Sequence, residues 1–255
     1  MSWGGAEGSF AQYVVADHRN VLHIPDGLGL EEASALPSGL FTEHGALQVA
    51  GFRSGQSVLI TGATSAIGLL GIQIAKALGA SAVLATTRHA ARTDLLTGVG
   101  ADAVVVTSEQ DPTHAVLKAT GGQGVEVVLD HVGGPAFTAC LSATRVGGHI
   151  VNIGRLDPSE SVIDLDALSY RHLTVRGVSY GYGRPEVIGG VMAALIPEVI
   201  PAIADGRIRA VVDSTFTFDT AAQAADRLRS HQARGKPLRD VFAQGADHAR
   251  DPRWA

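Results

Sequence analysis

The sequence predicts an α/β fold in which a parallel sheet is covered by helices on both faces, and three observations carry that prediction. Short β-branched runs recur through the middle of the chain, helical apolar spacing fills the gaps between them, and glycines fall at the ends of the apolar runs. With 31 glycines and only 5% aromatic residues in 255 residues, the chain reads as many tight turns between regular elements. A hydrophobic content of 45% is enough to fill a core at this length.

The predicted strands are Ser57–Thr61, Ala82–Thr86, Ala103–Val106, Val125–Leu129, His149–Ile153 and Leu173–Gly177. Their continuous apolar character marks strands buried on both faces. After the first strand, Ile67, Leu70, Ile74 and Leu78 fall at helical spacing and Gly79 closes the turn. Residues Ile67–Leu78 therefore form the crossover helix of a βαβ unit. Further helices are expected at Ala90–Leu96, Pro112–Ala119 and Pro135–Thr144. The result is a six-stranded, doubly wound sheet of Rossmann type.

The flanks break this rhythm. Gly8–Ala16 reads as a strand with a Gly/Pro-rich exit at Pro25–Gly29, and Val211–Phe218 as a strand that follows a long helical region, Pro185–Ala204. We assign residues 31–204 to a nucleotide-binding domain, and residues 1–30 together with 205–255 to a second domain contributed by both ends of the chain.

Composition removes several classes. A net charge of −5 and a pI near 6.0, with no dense basic stretch, argue against nucleic acid as a partner. The N-terminal region has no basic start followed by an apolar run, and no segment stays apolar for the roughly 18 residues of a membrane span. A cytoplasmic protein is expected. The single cysteine, Cys140, supplies neither an internal disulfide nor a thiolate zinc cluster and reads as a small buried helix residue.

The loop Thr61-Gly62-Ala63-Thr64-Ser65-Ala66-Ile67-Gly68 lies between the first strand and its helix, where backbone N–H groups and the helix dipole can meet a pyrophosphate. The GxGxxG string is absent, so the position between strand and amphipathic helix carries the reading; the alternative is a tight turn without a ligand. At the end of the second strand no acid is present to bond a ribose 2′-hydroxyl. The sequence there is Thr86-Thr87-Arg88, with Arg92 a turn further on, offering hydroxyls and guanidinium groups to a 2′-phosphate. NADPH is thereby favoured over NADH. The alternative is a pair of solvated arginines.

The fourth and fifth strands end in Asp130-His131-Val132-Gly133-Gly134 and Ile153-Gly154-Arg155, where a nicotinamide would lie. The glycines permit a flat ring to stack on backbone, whereas Asp130 and His131 read equally as capping or supporting residues and as chemical ones. Gly121-Gly122-Gln123-Gly124 and Gly147-Gly148 precede strands and are expected to be turns.

Taken together, these segments resemble the zinc-independent quinone oxidoreductases of the medium-chain dehydrogenase/reductase superfamily, the zeta-crystallin-like group with its related enoyl reductases. The resemblance is carried by Gly8-Ser9-Phe10-Ala11-Gln12-Tyr13, Ile24-Pro25-Asp26-Gly27-Leu28, Glu31-Glu32-Ala33, Ala35-Leu36-Pro37, the loop at Gly62–Gly68, Gln73-Ile74-Ala75-Lys76, Leu129–Gly134 and Gly235-Lys236. It implies a Rossmann domain joined to an incomplete GroES-like β domain, because relatives carry a longer N-terminal segment. It also implies that Thr42 lies near the nicotinamide, that Ser65, Ala66 and Ile67 meet the pyrophosphate, that Arg92 meets the 2′-phosphate, and that Lys236 approaches the cofactor.

The sequence departs from that family at two further points. Thr107 replaces a tyrosine near the adenosine, and Gly235-Lys236-Pro237-Leu238-Arg239-Asp240 replaces an apolar strand. The closing strand is therefore expected to be altered or frayed.

No His/Cys/Glu cluster is spaced as a metal site, so hydride transfer is expected to rely on position and on hydrogen bonds to the acceptor oxygen; the resemblance implies that NADPH reduces a quinone or an α,β-unsaturated carbonyl. Tyr180 and Tyr182, just past the sixth strand, are the candidate proton donors. The alternatives are an NADPH-binding sensor or scaffold without a working substrate cleft, and a chain whose barrel another polypeptide completes. A homodimer through the edge strand His172–Ser179 is expected.

Overall fold

A computed structural model of the chain describes residues 15–156, 159–182, 185–230 and 233–240; for Tyr182, Phe218, Arg239 and Asp240 only the backbone is described. The expected strand at Gly8–Ala16 therefore lies almost wholly outside the described residues.

Six strands form one parallel sheet: β1 (Ser57–Ile60), β2 (Ala82–Thr87), β3 (Ala103–Val106), β4 (Val125–Asp130), β5 (Thr144–Asn152) and β6 (Thr174–Gly177), in the order β3-β2-β1-β4-β5-β6. Val58 stands beside Val83 of β2 and Val127 of β4, so β1 is central and flanked by parallel neighbours. Alternation along the strands feeds two cores. Val58, Ile60, Val83 and Leu129 join one apolar cluster, and Leu59, Leu84, Val128 and Ile150 join the other. The six expected strands are all present, with ends shifted by a residue or so except at β5.

The first helices, α1 (Leu30–Ala35) and α2 (Pro37–Val49), were not foreseen. In α2, Leu40, Phe41, Glu43, His44 and Leu47 are all buried, so the helix is enclosed on most sides and shows no apolar stripe in its sequence. α3 (Ala66–Ala77) follows β1 as expected. The predicted helix at Ala90–Leu96 instead opens with a 3-10 turn, Ala90–Arg92, and continues as α4 (Thr93–Gly98). α5 (Pro112–Ala119) and α6 (Gly134–Ala143) cover the second face. α7 (Leu165–Tyr170), capped by the Asp164 carboxylate, was also unforeseen.

The expected run Pro185–Ala204 is two helices, α8 (Pro185–Glu198) and α9 (Ile200–Ala204), meeting at Val199. Pro201 explains the break, because it has no N–H to extend α8 and its ring would strike the carbonyl of Pro197 in a continuous helix. Gly147-Gly148 is not a simple turn. Val125 pairs with Thr144 and Val127 with His149, so residues 145–148 bulge out of the ladder, with Gly147 at φ 75°.

Beyond the main sheet, β7 (Val212–Thr217) pairs in parallel with β8 (Lys236–Asp240), and α10 (Ala221–Arg229) packs between them in sequence. The closing strand expected to be altered or frayed is thus formed, with Thr215 opposite Leu238. The Asp213 carboxylate on β7 pairs with the Arg227 guanidinium of α10 and accepts the Arg234 N–H, which pins the connection. Arg209 links this unit to α1 through a two-point contact with Glu32, both bonds at 2.7 Å. No helix among the described residues is long and apolar enough to cross a membrane.

Candidate functional site

The strand order reverses between β1 and β4, and in an open parallel sheet the crevice beyond the carboxyl ends at that reversal is where ligands bind. The candidate residues of β1, β4 and β5 meet there. Gly62 turns the chain out of β1 at φ 57°, a conformation that favours glycine. Its N–H donates to Thr86 Oγ1 at 3.1 Å, and the Ala63 N–H donates to the Thr86 carbonyl at 3.1 Å. At the other end of the loop, a Cβ on Gly68 would lie 2.7 Å from the Cα of Ala63, so only glycine lets the first turn of α3 sit this close to the loop.

Ser65 caps α3 by accepting the Gly68 N–H at 3.1 Å. The N–H groups of Ala66 and Ile67, the first two helical residues, have no intrahelical acceptor and stand at the positive end of the helix dipole. A loop with this close backbone approach, glycines no side chain could replace and open helix amides fits a pyrophosphate. The residues present therefore suit a dinucleotide.

The end of β2 differs in part from the sequence expectation. Thr86 and Thr87 are buried, with Thr86 Oγ1 engaged by Gly62 and Thr87 Oγ1 by the backbone of His89. These hydroxyls brace the loop and the turn rather than standing open to a phosphate. Arg88 is exposed and Arg92 half-buried, on the segment just beyond β2.

Asp130, fully buried, ties three strand ends together. Its carboxylate accepts from Thr61 Oγ1 at 2.7 Å, Asn152 Nδ2 at 2.8 Å and the Gly133 N–H at 3.1 Å, while its carbonyl accepts from Ile153 and Gly154. It is a structural hub, one of the two readings its sequence allowed. Val132 lies over the loop, its methyl 2.9 Å from where a Cβ of Gly62 would be. The backbone of Gly154 rests against the His131 carbonyl too closely for any side chain. Gly62, His131, Val132, Gly133, Ile153 and Gly154 are thus brought together.

His131 is buried and faces inward. Nδ1 meets the Thr61 carbonyl at 2.9 Å, which fixes a proton on that nitrogen, and Nε2 meets Glu43 Oε1 at 2.6 Å. Burial disfavours the charged ring, but the Glu43 carboxylate and the Thr61 carbonyl outweigh it and hold the His131 pKa above its usual value. Glu43 is a residue that sequence reasoning missed. The sequence around it, Phe41-Thr42-Glu43-His44-Gly45-Ala46-Leu47, mixes polar and apolar residues and gives no periodic signal that would have marked it.

Thr42 is half-buried on α2, next to Glu43. Tyr180 opens a short 3-10 turn, Tyr180–Tyr182, and packs edge-on against Phe41 with ring centroids 5.4 Å apart. Its hydroxyl lies against Gly45, one helical turn from Thr42, and burial raises its pKa. Tyr182 has no described side chain. Lys236, half-buried with its pKa lowered by burial, stands on β8 in the two-stranded sheet and not on the sheet that carries the other candidates. Among the described residues no group of three or more His, Cys, Asp or Glu is placed to hold a metal ion.

Comparison with known proteins gives the same architecture. A family model described as Zinc-binding dehydrogenase matches residues 66–197. Quinone oxidoreductase-like protein 2 of Bos taurus is 28% identical over 229 residues, covering 89% of this chain and 65% of that protein. The highly reducing polyketide synthase apmlA of Arthrinium phaeospermum is 28% identical over 251 residues, 94% of this chain and 10% of the synthase. Among solved structures, an NAD-dependent alcohol dehydrogenase superposes with a TM-score of 0.77 at 28% identity, covering 92% of this chain and 65% of that one. The chain therefore spans less than two thirds of the length of these relatives.

Proposed function

Because the chain belongs to the zinc-binding dehydrogenase family of the medium-chain dehydrogenase/reductase superfamily, whose members use a nicotinamide cofactor, we propose that it is an NADPH-dependent oxidoreductase acting on a quinone or an α,β-unsaturated carbonyl. The observation that carries this reading is the close-packed loop at the start of α3 together with a β2 exit that bears Arg88 and Arg92 and no acid. When bound, the reduced nicotinamide supplies a hydride. The loop amides hold the pyrophosphate, Arg88 and Arg92 the 2′-phosphate, and Val132, Gly133, Ile153 and Gly154 offer a flat backbone surface to the ring. Thr42 and Tyr180 face the acceptor side from α2 and from the turn beyond β6. In the same reading, residues 1–30 and 205–255 belong to the substrate domain, and β6 pairs with its copy in a homodimer.

Calorimetry with NADPH and NADH tests the cofactor. NADPH should bind more tightly, and Arg88→Ala should weaken it about tenfold while leaving NADH unchanged. Tighter binding of NADH would overturn the proposal. Incubation of the NADPH complex with a panel of quinones and enones then separates an enzyme, which oxidises the cofactor, from a sensor, which binds it without turnover.

A further inference from the structure

The His131–Glu43 pair joins three elements at one point. His131 Nδ1 is bonded to the carbonyl of Thr61 at the exit of β1, its backbone N–H to Thr61 Oγ1 at 3.0 Å, and Nε2 to Glu43 Oε1 on α2. Each partner stands one residue from a position at the crevice: Thr61 precedes Gly62, His131 precedes Val132, and Glu43 follows Thr42. Asp130 also faces the ring electrostatically, from β4.

A buried ion pair is a costly way to hold a helix, since a well-packed apolar pair of similar volume is often as stable or more so. Here the cost is visible. Glu43 Oε2 is buried and has no hydrogen-bond partner among the described residues. α3 makes room for that acid with Gly71, where a Cβ would lie 3.0 Å from Glu43 Cδ and closer still to Oε2. What the pair adds over apolar packing is direction, because two hydrogen bonds on one planar ring, at 2.9 and 2.6 Å, set both the separation and the angle between α2 and the loop.

We propose that His131 and Glu43 form a positioning tie that fixes α2, and Thr42 on it, relative to the phosphate loop, so that binding of the nicotinamide half of the cofactor depends on the tie while binding of the adenosine half does not. This rests on the cofactor reading given above. Neither residue touches the acceptor in this scheme; both act through Thr42 and through the Gly62–Val132 contact.

The experiment compares NADPH with 2′,5′-ADP, which carries the adenosine and the 2′-phosphate but no nicotinamide. Glu43→Met keeps the side-chain volume and removes the buried charge. It should raise the NADPH dissociation constant about tenfold and leave that of 2′,5′-ADP within about twofold. Glu43→Gln, whose amide can donate to a neutral Nε2, should restore NADPH binding. Equal weakening of both ligands, or no weakening of NADPH, overturns the tie.

A second measurement needs no variant. In the wild-type protein the ring nitrogen resonances of His131 should move when NADPH is added and stay in place with 2′,5′-ADP; resonances that ignore NADPH while it binds would also overturn it. A wild-type protein that binds neither ligand removes the cofactor reading itself, and the tie with it.

Discussion

At the scale of the residue, the site is organised by side chains that face away from the crevice. Asp130 joins three strand ends, Thr86 holds the loop from below, and His131 turns inward to Glu43. The neighbourhood of these residues was legible in the sequence, since all three stand at strand ends, but the direction each side chain takes depends on partners up to 88 positions away. His131 also carries a pH dependence with a definite sign. Its folded pKa is raised, so the stability gained from its proton is complete below the unfolded value of about 6.5 and is lost as the pH rises through the higher folded value. Urea unfolding of the wild type should therefore show stability falling on the alkaline side. Glu43→Gln removes the charge that raises the pKa, and its curve should be flat across that same limb; parallel curves would contradict the assignment.

At the scale of the element, α3 and α5 begin in the same way, each with a side chain accepting the N–H three residues on: Ser65 from Gly68 and Asp111 from His114. One cap is a hydroxyl at the candidate cofactor loop and the other a carboxylate before Pro112, away from it. Ser65→Ala and Asp111→Ala should each lower stability by about 1 kcal/mol in urea titrations. Ser65→Ala should in addition weaken NADPH, whereas Asp111→Ala should leave it unchanged. Equal affinities in the two variants would detach the cofactor from the β1–α3 loop. Elements with a regular period were readable: α3 shows its apolar spacing and the six strands their β-branched runs. α2 was not, because a helix enclosed on most sides has no polar face to set its phase, and it contains the acid and the histidine that a pattern search would assign to a surface.

At the scale of the whole molecule, β6 is the last strand of the sheet, and among the described residues no strand pairs with its outer edge. Arg176 and Gly177 are exposed, Val175 is 37% exposed, and Leu165 and Tyr170 of the preceding helix and Val146 of the β5 bulge are exposed apolar side chains in the adjoining segments. An uncovered edge with apolar neighbours suits a second copy of the same strand across a two-fold axis. Val175→Pro withdraws a backbone donor there and should convert a dimer to a monomer in analytical ultracentrifugation. A dimer that survives the substitution, or a monomeric wild type, would exclude this interface.

Local rules settled which segments are strands, where the loop of small residues stands, and that no acid follows β2, because each follows from a few neighbouring residues and a period of two or of 3.6. Tertiary structure alone decided the inward turn of His131, the closing of β8 onto β7 and the enclosure of α2. Those features arise from contacts between positions far apart in the chain, where burial makes an unpaired charge or backbone group costly, and no local pattern encodes which distant group will satisfy it.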